Sequence, residues 1–169
     1  MKESLSFDAQ SALGHALLRW WKWLENDRGG RAELRRAHDL TAVALTGAYQ
    51  RFYQQMMKAG WPDNAQFWKN ERLAAIAGLL AHVKSEDGRT LSLAMSEGDR
   101  PKVSELRFRR LLESPTLDDV FISLRRALPI IGHKANINQL ANALLFWGDN
   151  VKKEWAYAYR WPEKSQAKN

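Results

Sequence analysis

The chain has 169 residues, 45% hydrophobic and 27% charged, with 26 Lys and Arg against 19 Asp and Glu for a net charge of +7 and a pI near 9.8. This length suits one domain with its own core, and the basic balance speaks of a polyanionic partner, nucleic acid foremost, rather than of a fold. Without any cysteine, disulfides, thiolate chemistry and Cys-ligated zinc are excluded, and the longest apolar run, 73–83, is far shorter than the roughly 20 residues of a membrane span.

The first twenty residues include Glu3, Asp8 and His15 and lack the uninterrupted apolar core of a secretory signal, so a cytoplasmic protein is expected. Leu13, Leu17, Trp20 and Leu24 recur at helical spacing, with Gly29-Gly30 as the expected stop. Residues 31–38 (RAELRRAH) are rich in helix formers and poor in apolar side chains, which predicts a short surface helix. Tyr49, Phe52, Tyr53 and Met56 mark a third helix, ended by Gly60 ahead of Trp61-Pro62. Asp63 and Gln66 have the spacing of a capping box, opening a helix whose buried face is Leu73, Ile76, Ala77, Leu80 and Val83.

The polar turn 85–88 (SEDG) is the expected internal boundary. It divides an N-terminal lobe of about 1–88 from a C-terminal lobe of about 89–161, with a disordered tail over 163–169. Beyond the turn, 90–95 predicts one helical turn, and Ser104 caps a helix with Val103 and Phe108 at staple positions and Phe108, Leu111 and Leu112 inward. Thr116 with Asp119 opens the next helix, which buries Leu117, Val120, Phe121, Leu124 and Leu128, leaves Arg125 and Arg126 off that stripe, and ends at Pro129. Asn136 with Gln139 opens the last and longest, along Ile137, Leu140, Leu144, Trp147, Val151 and Trp155, where Gly148 permits a bend. No segment alternates with the period of a strand, so the expected fold is all-α: a compact two-lobed bundle of about six to eight helices.

Chemistry is sparse. His15, His38, His82 and His133 are scattered, and Gly29-Gly30-Arg31 lacks the Lys and hydroxyl of a phosphate-binding loop. His38-Asp39 has the form of the ligand pair in helical metal-dependent phosphohydrolases, with His15 and Asp63 as conceivable partners. Such a dipeptide arises readily by chance, however, and Asp39 falls at a helix end. The expectation is therefore no catalytic residue, no metal and no cofactor. The phosphohydrolase stands as the enzyme alternative, and a helical DNA-binding regulator with a recognition helix stands as the other.

The basic residues come in groups. Arg28, Arg31, Arg35 and Arg36 form the first, and Lys102, Arg107, Arg109 and Arg110 the second, with Arg107 and Arg110 on the face opposite Phe108. Arg125-Arg126 and Lys152-Lys153 add two pairs, and Lys134 stands alone. After Gly88 there are fourteen basic and nine acidic residues, against twelve and ten before it, so most positive surface is expected in the second half. Arginine predominates, and its planar fork suits bidentate binding of phosphate. Trp20, Trp147 and Trp155 fall on core stripes, leaving Trp21, Trp23 and Trp68 for a surface or a partner.

The opening R-W-W-K-W-L-E-N-D-R-G-G-R-A-E-L-R-R (19–36) resembles that of the small subunit of the type I-E CRISPR surveillance complex Cascade, also called CasB. Residues 103–112 (VSELRFRRLL) and 124–128 (LRRAL) look like that family's central helices, and Phe146-Trp147-Gly148 with Trp155, Tyr157 and Tyr159 like its final helix. The resemblance implies a non-catalytic helical subunit, paired head to tail with a second copy and contacting the backbone and large subunits of the complex. It also implies a basic path for guide RNA, target DNA and the displaced single strand. Arg107, Arg125 and Arg126 match basic positions of that path, and Arg28, Arg31, Arg35 and Arg36 are carried over with them. Asp149 and Asn150 follow Trp147-Gly148 where relatives can be basic at once, a departure that bears on Lys152 and Lys153.

Overall fold

The computed structural model describes residues 5–164; the tail expectation falls from 165 onward outside them. Among the described residues there are ten α-helices, eight of them at least seven residues long, one 3-10 turn and one two-residue strand pair. The all-helical expectation holds, with two extra short pieces. No described helix is long and apolar enough to cross a membrane.

α1 (Ala12–Trp23) starts at Ser11, whose hydroxyl accepts from the Gly14 N–H, and runs into a 3-10 turn at Leu24–Asn26. The glycine pair does not stop it: Gly29 and Gly30 lie inside α2 (Arg28–Arg36). Asp27 explains the reversal, because its carboxylate accepts from the Gly30 N–H at 3.1 Å, and a Cβ at residue 30 would strike that carboxylate. α3 (Leu40–Ala44) is capped by Asp39 and α4 (Gly47–Lys58) by Thr46, with Gly60 at φ +117° turning the chain after it. α5 (Phe67–Leu80) begins without the expected capping box, since Gln66 occupies the cap position and its side chain makes no cap hydrogen bond.

The caps at Ser104, Thr116 and Asn136 are as the sequence predicts, and Thr90 adds one where a single turn is expected. Thr90 opens α6 (Leu91–Ser96), Ser104 opens α7 (Glu105–Leu112), Thr116 opens α8 (Leu117–Ile130) and Asn136 opens α9 (Ile137–Leu145). Pro129 sits within the last turn of α8 rather than ending it. The expected long terminal helix is two, with α10 (Asp149–Ala158) starting after a break at Phe146–Gly148. The cause lies on α5: Arg72 Nη1 donates to the carbonyls of Leu144, Leu145 and Trp147 at 3.3, 3.0 and 2.9 Å, satisfying the end of α9 so that it can stop there.

The buried side chains form one contiguous cluster around α5, which packs against α3, α4, α8 and α9. Residues 73–81 are buried without interruption, so α5 is enclosed on every side from Leu73 onward. Gly78 is where it is tightest: a Cβ there would lie 2.8 Å from Phe121 of α8 and 2.9 Å from Val43 of α3. Each large side chain in this cluster, Phe121 or Leu79 for instance, contributes about 1.5–3 kcal/mol of burial. Past α5, β1 (Ser85–Glu86) pairs in parallel with β2 (Lys134–Ala135), Ser85 opposite Lys134, across the turn expected as a boundary.

Candidate nucleic-acid interface

α7 buries Phe108 and Leu111 and α8 buries Phe121, Leu124, Ala127 and Leu128, so the two helices pack by their apolar stripes. What remains outside is positive. Arg107 and Arg110, one turn apart on α7, meet Arg126 and Ser123 of α8 around a cleft of about 470 Å³. Leu111 and Ala127 supply apolar lining, all three arginines are exposed, and no carboxylate lines the cleft. Three guanidinium groups over an apolar floor can hold phosphate oxygens bidentately while a sugar or base edge rests below.

A second cationic group gathers where α2 meets α8. Arg125 Nη2 donates to the Arg35 carbonyl at 2.9 Å, and Arg35 Nε donates to the Ala81 carbonyl at 2.8 Å. Both guanidiniums thus serve the carboxyl ends of helices, where the dipole favours cations. Burial first and Arg31 second hold the Arg35 guanidinium below the ordinary arginine range. His82 lies among them, with its carbonyl 2.9 Å from His133 Nδ1, and its own imidazole is pushed down to about 4 by burial, then by Arg125, Arg35, His133 and Arg31. The 51-residue separation of His82 and His133 hides this from the sequence; the β1–β2 pairing beside them is what joins them.

Adjacent arginines on α8 therefore point to different work. Arg126 faces the open cleft, whereas Arg125, paired with it in the sequence, and Arg35 of the first basic group are struts between the two halves of the chain. Arg31 is half-buried beside Arg35, and Arg28 and Arg36 are exposed on α2. Arg109 turns away from the cleft to within 3.9 Å of Glu113, alone of the candidates in having a carboxylate within ion-pair distance among the described residues. Lys102, Lys134 and Lys153 are exposed and Lys152 half-buried, and none of the four lines the α7–α8 cleft.

The expectation for the tryptophans needs correcting at one position. Trp21 is buried, its indole N–H donating to the Val83 carbonyl at 3.0 Å, which leaves Trp23 and Trp68 exposed. His38 is exposed and the Asp39 carboxylate accepts from the Ala42 N–H as the cap of α3, so the dipeptide has a local structural use. Among the described residues, no three His, Asp or Glu side chains come together as metal ligands could.

No curated protein matches the chain. A chain in the crystal structure of E. coli Cascade bound to a PAM-containing double-stranded DNA target has the same fold, with a TM-score of 0.67 and 22% identity over 86% of this chain and 92% of that one. The family model for CRISPR-associated protein Cse2 matches residues 30–159, which include both cationic groups and all of the cleft. The chain therefore belongs to the Cse2 (CasB) family of CRISPR-associated proteins, non-catalytic subunits of type I-E Cascade.

Proposed function

We propose that the chain is the small subunit of a type I-E Cascade effector and that it stabilises the opened target by neutralising phosphates of guide RNA, target strand and displaced strand. The observation that carries this reading is the α7–α8 cleft, where Arg107, Arg110 and Arg126 converge with no carboxylate among them. Exchange of a DNA duplex for a guide–target duplex is nearly balanced in free energy, so a few phosphate interactions shift it decisively. Arg28, Arg31 and Arg36 extend the positive surface on α2, and Lys102, Arg109, Lys134, Lys152 and Lys153 add long-range attraction, while Arg35 and Arg125 act mainly by holding α2, α5 and α8 in register. The subunit needs no cofactor for this, works in the cytoplasm, and pairs head to tail with a second copy against the backbone and large subunits.

The test replaces Arg107, Arg110 and Arg126 together by Ala in the assembled complex. Target affinity falls, and the slope of log affinity against log salt becomes shallower by about 2–3, near 0.9 for each phosphate no longer neutralised. Helix content stays as it is, because all three side chains are exposed. An unchanged salt slope sinks the assignment.

A further inference from the structure

A second surface with nucleic-acid chemistry lies between α1 and α4, on residues outside every basic group named above. Ala16, Arg19, Trp20 and Trp23 succeed one another at helical spacing on α1 and face Gln55 and Lys58 of α4 across a cleft of about 380 Å³. Trp20 is the floor: it is buried and packs on Phe52 with ring centroids 4.3 Å apart. Trp23, the last residue of α1, is 49% exposed. Packing explains the first indole and leaves the second unexplained.

The other exposed tryptophans differ in one respect. The ring of Trp68 is approached by Lys69 at 5.5 Å and Arg72 at 5.2 Å, and Trp161 meets Phe108 and Tyr159 edge-on at 5.6 and 5.0 Å. Among the described residues, the Trp23 ring has neither a cation over it nor an aromatic neighbour. Its cleft is lined by two exposed cations, Arg19 and Lys58, and by no carboxylate.

This charge pattern selects the occupant. An apolar partner helix would leave two desolvated cations without counterions, and a simple anion would make no use of the indole. A polyanion that also presents aromatic faces satisfies both, and single-stranded nucleic acid is that polymer, since a duplex keeps its bases stacked on each other. We propose that the α1–α4 groove binds single-stranded nucleic acid, with one base stacked on Trp23, the flanking phosphates on Arg19 and Lys58, and Gln55 bonding to the base edge. This rests on the reading that the chain works on nucleic acid, yet it uses different residues and adds a preference for unpaired strands.

The full-length chain is titrated at low salt with fluorescent oligothymidylate and with a duplex of equal length. Alongside it are Trp23→Ala, Trp23→Phe and the Arg107, Arg110 and Arg126 triple alanine variant. Trp23→Ala weakens oligothymidylate binding about tenfold, leaves duplex binding as it was, and Trp23→Phe keeps most of the affinity. With 5-iododeoxyuridine in the oligonucleotide, irradiation of the wild-type chain cross-links residue 23. Wild-type affinity in Trp23→Ala, an equal loss for strand and duplex, or cross-links only elsewhere overturns the stacking site, and the α7–α8 reading survives that result if the triple variant loses affinity. If the wild-type chain binds neither probe, or the triple variant and Trp23→Ala both bind like the wild type, both readings fall.

Discussion

α5 and α8 are fourteen residues each and touch at Gly78, yet α5 is buried all round from Leu73 onward while α8 is buried along one stripe. A helix enclosed on every side has no face left for recognition, and its residues are constrained by volume. A helix enclosed on one side can divide its outer residues between internal struts and an open surface, as Arg125 and Arg126 do. Two helices of equal length in one core thus answer to different constraints, and mutations should separate them.

The largest effect is expected at the point where the two helices touch. Gly78→Val places methyl groups against Phe121 and Val43 and destabilises the fold by about 3 kcal/mol, read as a lower urea midpoint. A midpoint equal to wild type would mean that α5 is not confined as described.

Next comes His82, just beyond the end of α5. Its folded pKa of about 4 lies below the ordinary 6.5, so the unfolded chain takes up the proton first as pH falls. Stability contributed by the neutral imidazole is whole above about pH 6.5 and declines toward pH 4, a loss of about 2 kcal/mol by pH 5. His82→Gln should flatten that part of the pH profile in urea titrations. A profile unchanged by the substitution would remove His82 from the account.

The neighbouring arginines sharpen the contrast on α8. Arg125→Ala removes the bond to the Arg35 carbonyl and lowers stability by about 1 kcal/mol. Arg126→Ala leaves thermal stability as it was and weakens target binding. Equal behaviour of the two variants in both assays would erase the distinction between strut and surface. The smallest change is expected at Arg109, whose exposed pairing with Glu113 at 3.9 Å contributes under about 0.5 kcal/mol, so Arg109→Ala should melt with wild type.

What could be read from the sequence was what local chemistry decides. The caps at Ser104, Thr116 and Asn136 are side-chain to backbone bonds spanning three residues, and the apolar stripes of α1, α4, α7 and α8 follow from spacing alone. The failures have distant or competing causes. The end of α9 is set by Arg72, more than seventy residues earlier, and Gly29-Gly30 enters a helix because Asp27 supplies its start. In the candidate interface, the grouping of Arg107, Arg110 and Arg126 follows from two amphipathic helices. Nothing in an Arg-Arg pair says which member will find a carbonyl across the fold, and so Arg35 and Arg125 looked no different from their neighbours. Arg19, Trp23 and Lys58 were equally visible as residues, but only the packing of α1 on α4 brings them together.

The short parallel pairing of β1 with β2 has a kinetic meaning. Ser85 and Lys134 are about fifty residues apart, and their segments can align only after α5 and α8 have docked, since these helices lead into the two strands. The Lys84 N–H bond to His133 and the Asp87 N–H bond to Ala135, at 2.8 and 3.1 Å, are therefore expected to form late. In pulsed hydrogen exchange during refolding, protection of those two amides would time the completion of the molecule, after the amides of α5 have already become inaccessible to solvent.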